Sequence, residues 1–114
     1  MCNYKILYHD KKDGYVIRCA DCNNIQIGFG NLGVTFTVPV FRSFHNSIKS
    51  MISEQRYGKD LHHKTIRLHT PCEGIYFLLS SHELLELYII LDSAETEMQS
   101  QELINLFGHD NQSE

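Results

Sequence analysis

Residues 15–36 read Tyr-Val-Ile-Arg-Cys-Ala-Asp-Cys-Asn-Asn-Ile-Gln-Ile-Gly-Phe-Gly-Asn-Leu-Gly-Val-Thr-Phe. Side chains alternate between two faces along a strand, so a period of two marks a half-buried strand. Tyr15, Ile17 and Cys19 alternate with Val16 and Arg18. Ile25, Ile27 and Phe29 alternate with Gln26 and Gly28. Val34 and Phe36 give the inward face of a short further strand. Two turns separate these runs. Ala20-Asp21-Cys22-Asn23-Asn24 offers Asn, which tolerates the left-handed conformation, and Gly30-Asn31-Leu32-Gly33 offers Gly. Three strands joined by tight turns predict an antiparallel meander.

Upstream, residues 4–9 add a fourth strand, with Tyr4, Ile6 and Tyr8 on one face and Lys5, Leu7 and His9 on the other. Asp10-Lys11-Lys12-Asp13-Gly14 is the connecting hairpin turn. Downstream, Thr37 is a good N-cap and Pro39 is tolerated in a first turn. Val40, Phe41, Phe44, Ile48, Met51 and Ile52 then recur at helical spacing, with Arg42, His45, Asn46 and Lys49 facing outward. Gln55–Lys64 reads as a polar loop. Thr65–His69 is a strand with Ile66 and Leu68 inward. Ile75–Leu79, apolar on both faces, reads as a central strand.

Ser80 and Glu83 form a capping box that opens a helix. From Leu84 to Leu91 that helix is apolar nearly all round, which predicts burial on more than one side, in the core or in a dimer. Asp92-Ser93 is expected to bend or break it, a last helix to cover Ala94–Phe107, and Gly108 to cap that helix. The expected organisation is one α+β domain over 1–108 and a frayed tail over 109–114. The antiparallel β-meander is followed by a helix, two further strands and C-terminal helices packed on one face of the sheet. Gly33-Val34-Thr35-Phe36 and Gly74-Ile75-Tyr76-Phe77 repeat one plan, strand then polar cap then helix, at an offset of 41.

Length and composition agree with this plan. The chain has 114 residues, 42% of them hydrophobic and 21% charged, which are globular values. That excludes a disordered or collagen-like chain. No apolar run approaches the roughly 20 residues of a membrane span, and no export signal is visible, so a cytoplasmic chain is expected. The net charge of −4 hides an asymmetry: residues 1–70 carry all ten Lys and Arg and sum to +5, and residues 71–114 carry nine acids and sum to −9.

Four cysteines are present: Cys2, Cys19, Cys22 and Cys72. In a reducing compartment a Cys-x-x-Cys pair reads as metal-binding or redox rather than as a structural bridge. Two thiolates in a tight turn can hold one zinc ion at about 2.3 Å, which makes Cys19 and Cys22 half of a zinc site. His69-Thr70-Pro71-Cys72 repeats the spacing and offers His69 and Cys72 as further ligands. Cys2 is a rival, because hairpin pairing brings it toward residues 21–22. A thiol-redox reading is weaker, since the pair leads into a strand and lacks the helix N-terminus that lowers a thiol pKa.

Two further sets of residues bear on function. Arg56, Lys59, Lys64 and Arg67 make a basic patch that suits a nucleic acid or another anion, although the net negative charge argues against nucleic acid. Leu84, Leu87, Tyr88 and Leu91 are the candidate surface for a homodimer or protein partner. Gly28-Phe29-Gly30-Asn31-Leu32-Gly33 matches a dinucleotide fingerprint by letter, but a strand follows it where the phosphate mechanism needs a helix. No catalytic triad is assignable; His45 and His82 lack a placed acid and nucleophile.

The segment Gly14-Tyr15-Val16-Ile17-Arg18-Cys19-x-x-Cys22-x-x-Ile25-Gln26-x-x-Phe29-Gly30 resembles the signature of a small bacterial domain family of unknown function. The resemblance extends over most of the chain and implies a bacterial cytoplasmic protein, with no activity, substrate or ligand attached. The residues themselves favour a non-enzymatic binding or protein-interaction module, with zinc through Cys19 and Cys22 as its candidate cofactor.

Overall fold

The computed structural model describes residues 3–12, 14–54 and 64–112. Among these, the chain forms β1 (Tyr4–Asp10), β2 (Gly14–Cys19), β3 (Ile25–Phe29), β4 (Leu32–Phe36), α1 (Val38–Glu54), β5 (Ile66–His69), β6 (Tyr76–Leu79) and α2 (Ser81–Gln112). The first four strands make an antiparallel sheet in the order β1-β2-β3-β4, and β5 and β6 make a separate two-stranded ribbon. The expected α+β architecture is the observed one.

Cross-strand partners share a face of the sheet. Val16 pairs with Ile27 and Ile27 with Val34, and all three are buried. Ile25 pairs with Phe36 and Phe29 with Leu32 on the same side. Against this face pack Phe41, Phe44 and Ile48 of α1 and Leu84, Leu87, Leu91, Ala94 and Met98 of α2. A chain of rings joins the layers. Phe36 lies 4.9 Å from Phe44, Phe44 lies 6.2 Å from Phe77, and Phe77 meets Phe29 edge-on at 6.4 Å. Phe77 thereby ties the ribbon to the sheet.

Each helix starts where a strand ends in a polar cap. Thr37 Oγ1 accepts the Val40 N–H at 3.4 Å. Ser80 and Glu83 close the capping box reciprocally: Ser80 N–H donates to the Glu83 carboxylate at 3.0 Å, and Glu83 N–H donates to Ser80 Oγ at 3.2 Å. The repeated strand–cap–helix plan is therefore real as local structure, although β4 belongs to the sheet and β6 to the ribbon.

The structure corrects the sequence reading in three places. In β1, Ile6 pairs with Ile17 and Tyr8 with Val16, so Leu7 is the extra residue of a β-bulge. The bulge breaks the period of two. Leu7 is buried and Tyr8 packs on the core, and Tyr4 and Ile6 face outward. Second, β6 is one of two strands in a ribbon and not a central strand; its apolar outer residues Tyr76 and Leu78 are exposed. Third, α2 is one helix through Asp92 and Ser93, and it runs on past Gly108 to Gln112. Asp and Ser cost a helix only a few tenths of a kcal/mol each. The buried Leu91, Ala94 and Met98 on either side outweigh that.

Candidate functional site

Cys19 ends β2 and turns back under its own loop. Its side chain is buried, and its sulfur accepts the Cys22 N–H at 3.4 Å. Asn23 N–H donates to the Cys19 carbonyl and Cys19 N–H to the Asn24 carbonyl, both at 2.9 Å. Asn23 sits at φ 65°, the left-handed conformation its side chain tolerates. Residue 3 is drawn to this turn: Ala20 N–H donates to the Asn3 carbonyl at 2.6 Å, and Asn3 N–H donates to the Asp21 carboxylate at 3.3 Å. Cys22 is exposed beside the buried Cys19. Cys2 lies outside the described residues.

The second predicted pair stands elsewhere. Cys72 is exposed in the turn between β5 and β6, and it lines a shallow cleft with Leu32–Thr35 of β4. His69 packs edge-on to Tyr76, with ring centroids 6.4 Å apart. Among the described residues, no group of three or more His, Cys, Asp or Glu side chains is placed to hold a metal ion. His69 and Cys72 therefore do not complete a site with Cys19 and Cys22, because the ribbon carries them to the β4 side of the sheet.

Of the basic patch, Arg56 and Lys59 lie outside the described residues. Lys64 pairs with Glu83 at 3.2 Å, and the Arg67 guanidinium stands 4.6 Å from the centre of the Tyr76 ring. Burial raises the Glu83 pKa, but the Ser80 N–H and the Lys64 ammonium outweigh it, so Glu83 is held below the usual carboxylate range.

Leu84, Leu87 and Leu91 are fully buried in this chain's own core, and Tyr88 is half-buried. The apolar wrap of the helix thus serves the fold, because sheet and α1 both pack on it. These leucines offer no surface to a partner. Exposed apolar side chains lie farther along the same helix. Leu103, Ile104, Leu106 and Phe107 are 55–64% exposed. Burial along α2 ends at Met98, and residues 102–107 are all exposed. Glu102 still pairs with Arg42, and Asn105 lines a cleft with Lys5 and Arg18, so the arm beyond these contacts is residues 106–112, about 10 Å long at 1.5 Å per residue.

The face of the sheet turned away from the helices is the second exposed apolar surface. Register places Tyr4, Ile6, His9, Tyr15, Ile17, Cys19, Gln26, Gly28, Gly33 and Thr35 on it. An antiparallel sheet covered on one side normally turns polar residues to water. This face carries the exposed His9 but no Asp, Glu, Lys or Arg among the described strand residues, and Tyr4 and Ile6 are 55% and 64% exposed. Tyr15 lies across Gly28, its cross-strand partner. A side chain at Gly28 would run into that ring, and Gly30 turns the hairpin at φ 61°. These are the roles of the first two of the three glycines whose letters match a dinucleotide fingerprint.

A family model described as a family of unknown function, DUF6686, matches residues 1–112. The chain belongs to that family. No curated protein and no solved structure matches it.

One polar cluster in this DUF6686 chain escaped the sequence reading. His45, expected on the outer face of α1, is buried; it stacks on Tyr88 at 5.7 Å and its Nε2 lies 3.2 Å from Asp92 Oδ1. Next to it Arg42 donates to Glu95 and to Glu102, each at 3.0 Å. Burial lowers the Arg42 pKa, but Glu102 and Glu95 more than offset it and the net direction is upward. The cluster pins α1 to α2. Helical spacing alone puts Arg42, His45 and Lys49 on one stripe, and the acids that meet Arg42 and His45 lie 47 to 60 residues later. Among the described residues, no helix of this chain is long and apolar enough to cross a membrane.

Proposed function

We propose that this DUF6686 chain is a protein-interaction module that works through two apolar surfaces, the open face of β1–β4 and the arm that ends α2. The observation that carries this reading is the open face itself. A contiguous surface built from Tyr4, Ile6, Tyr15 and Ile17, with His9 beside Tyr15 as its one Asp, Glu, Lys, Arg or His among the described strand residues, costs solubility unless something covers it. The test is a photo-crosslinking residue placed at Ile6 or at Phe107 and activated in the native cell. A discrete protein adduct from either position is expected. Adducts from neither would overturn the reading, and the adduct's mass would tell a second copy from another protein.

A zinc ion held through Cys19 and Cys22 is a second part of the proposal, favoured by the Cys22 N–H that points at the Cys19 sulfur. A hydrogen bond of that kind stabilises the thiolate that a metal needs. Cys2, next in sequence to the residue bonded to this turn, is the candidate third ligand. Mass spectrometry of untagged protein is expected to give one zinc per chain, with Cys19 and Cys22 protected from thiol reagents until chelation. Metal-free protein with freely reacting thiols would remove zinc and leave the interaction reading intact.

A further inference from the structure

The four-stranded sheet has two edges, and only one is guarded. β1 carries the bulge at Leu7 and the charge of Lys5, and α2 packs beside it. Bulges, charges and covering elements are the usual guards against a further strand. β4 reads Leu-Gly-Val-Thr-Phe, with no charge, no Pro and an unbroken register with β3. In the ribbon, β6 likewise has a strand on one side only.

The register says which backbone groups these edges leave open. Gly30, at φ 61°, starts the two-residue turn that closes on Phe29 and Leu32. The Leu32 N–H therefore points back at β3, and along an antiparallel ladder the direction alternates. Val34 and Phe36 turn their N–H and C=O to β3, and Gly33 and Thr35 turn theirs outward. In the ribbon, Thr70 N–H donates to the Ile75 carbonyl at 3.3 Å. Phe77 and Leu79 then face β5, and Tyr76 and Leu78 turn their backbone groups away from it. Among the described residues, no other backbone group bonds those of Gly33, Thr35, Tyr76 and Leu78.

Both open edges line one groove. Residues 32–35 border a cleft of about 380 Å³, residues 75–79 border one of about 320 Å³, and the two clefts share Leu32 and Ile75. Successive strand residues point to opposite faces, so a cleft lined by an unbroken run follows a strand's edge. No residue of β5 lines either cleft, and β3 contributes only Phe29. The buried Phe29 and Phe77 lie at the bottom of the first cleft and the buried Val34 at the bottom of the second. The Lys64–Glu83 pair leaves the end of the groove without net charge.

We infer that this groove seats an extended segment of a partner protein as an added strand. Open donors and acceptors at every second residue match an extended backbone and not a helix. Residues 32–35 and 76–79, laid end to end through the shared Leu32 and Ile75, give a segment of about eight residues, roughly 26 Å at 3.3 Å each. Its side chains are uncharged, and apolar at every second position where they meet Phe29, Phe77 and Val34. The β4 of a second copy does not fit, because the turn at residues 70–72 stands across the cleft from residues 32–35 and bars a whole sheet from that edge. The groove is separate from the open face and the arm, and the inference rests on neither.

Amide hydrogen exchange of the full chain, followed by NMR, is the first test. The N–H groups of Gly33, Thr35, Tyr76 and Leu78 are expected to exchange fast, and those of Val34 and Phe77, which point into the ladders, slowly. Four slow amides in the chain alone would overturn the inference, since the edges would already be covered. A phage-displayed library of random octapeptides is the probe for the occupant. Selection on the full chain is expected to enrich uncharged sequences that are apolar at every second position. The synthetic form of an enriched peptide is expected to slow the four amides, a readout that needs no variant. Thr35→Pro removes an N–H that points into the groove and none from the ladder, a place where an edge strand tolerates Pro. It is expected to weaken that peptide tenfold or more, as is Leu78→Pro on the other wall, with circular dichroism showing the fold retained. Thr35→Ala keeps the backbone and is expected to bind as the wild type does. No enrichment, or peptides that leave the four amides fast, would overturn the strand addition. So would equal binding to the wild type and both Pro variants.

Discussion

Nε2 of His45 lies 3.2 Å from Oδ1 of Asp92, across the junction between α1 and α2. The two residues are 47 apart in sequence, and His45 is only 7% exposed. Asp92 therefore satisfies a buried ring nitrogen on the other helix. Replacing Asp92 by Ala leaves that nitrogen without its partner, at a cost of about 1–3 kcal/mol. Urea denaturation should show a lower midpoint with an unchanged slope. A double-mutant cycle with His45→Ala should return a coupling of about 0.5–3 kcal/mol. A cycle that adds to zero would make the contact incidental.

The same pair shows what sequence reasoning reaches. The period of two in β2 to β5, the hairpin turns, the Ser80–Glu83 box and the inward face of β3, β4 and β5 are local, and each stands in the structure as read. What failed depends on partners far along the chain. His45 looks solvent-facing until Asp92 and Tyr88 arrive, and Asp92-Ser93 looks like a helix break until Leu91 and Ala94 are buried around it. The bulge at Leu7 follows from pairing with β2, which no period within β1 reports. For the candidate site, the Cys19–Cys22 turn was legible because its hydrogen bonds span only a few residues. The open face was not, because a face is open or covered only once the helices have been placed.

The capping box gives a pH-dependent prediction. Glu83 is held below its ordinary carboxylate range by the Ser80 N–H and Lys64, against the opposing effect of burial. A carboxylate whose folded pKa is depressed adds stability above its unfolded pKa, and that stability is lost as pH falls through the folded pKa. Glu83→Gln should therefore flatten the acid limb of the stability curve and change little at the acid end. Ser80→Ala removes the other half of the box and should cost about 1 kcal/mol at neutral pH. Thermal melts at a series of pH values measure both.

Tyr15 and Gly28 make a prediction for the open face. The ring occupies the space above the glycine, so Gly28→Val must displace it. The expected cost is about 1–3 kcal/mol, the usual range for overpacking. Shortening Tyr15 to Ala alongside it should recover part of that loss. If Gly28→Val melts as the wild type does, the ring does not rest there in solution.

Leucines at two depths on α2 separate fold from partner. Leu87 is fully buried and Leu103 is 55% exposed on the same helix. Leu87→Ala opens a cavity in the core and should cost about 2–5 kcal/mol at every protein concentration. Leu103→Ala removes a side chain that the chain's own core never touches, and in dilute solution it should stay within about 0.5 kcal/mol of wild type. If a second copy covers the arm, folding is linked to association, and the wild type gains stability as concentration rises. The Leu103→Ala deficit should then grow with concentration while the Leu87→Ala deficit stays constant. Denaturation at two widely separated protein concentrations reads this directly. A Leu103→Ala deficit equally small at both would place that leucine in water.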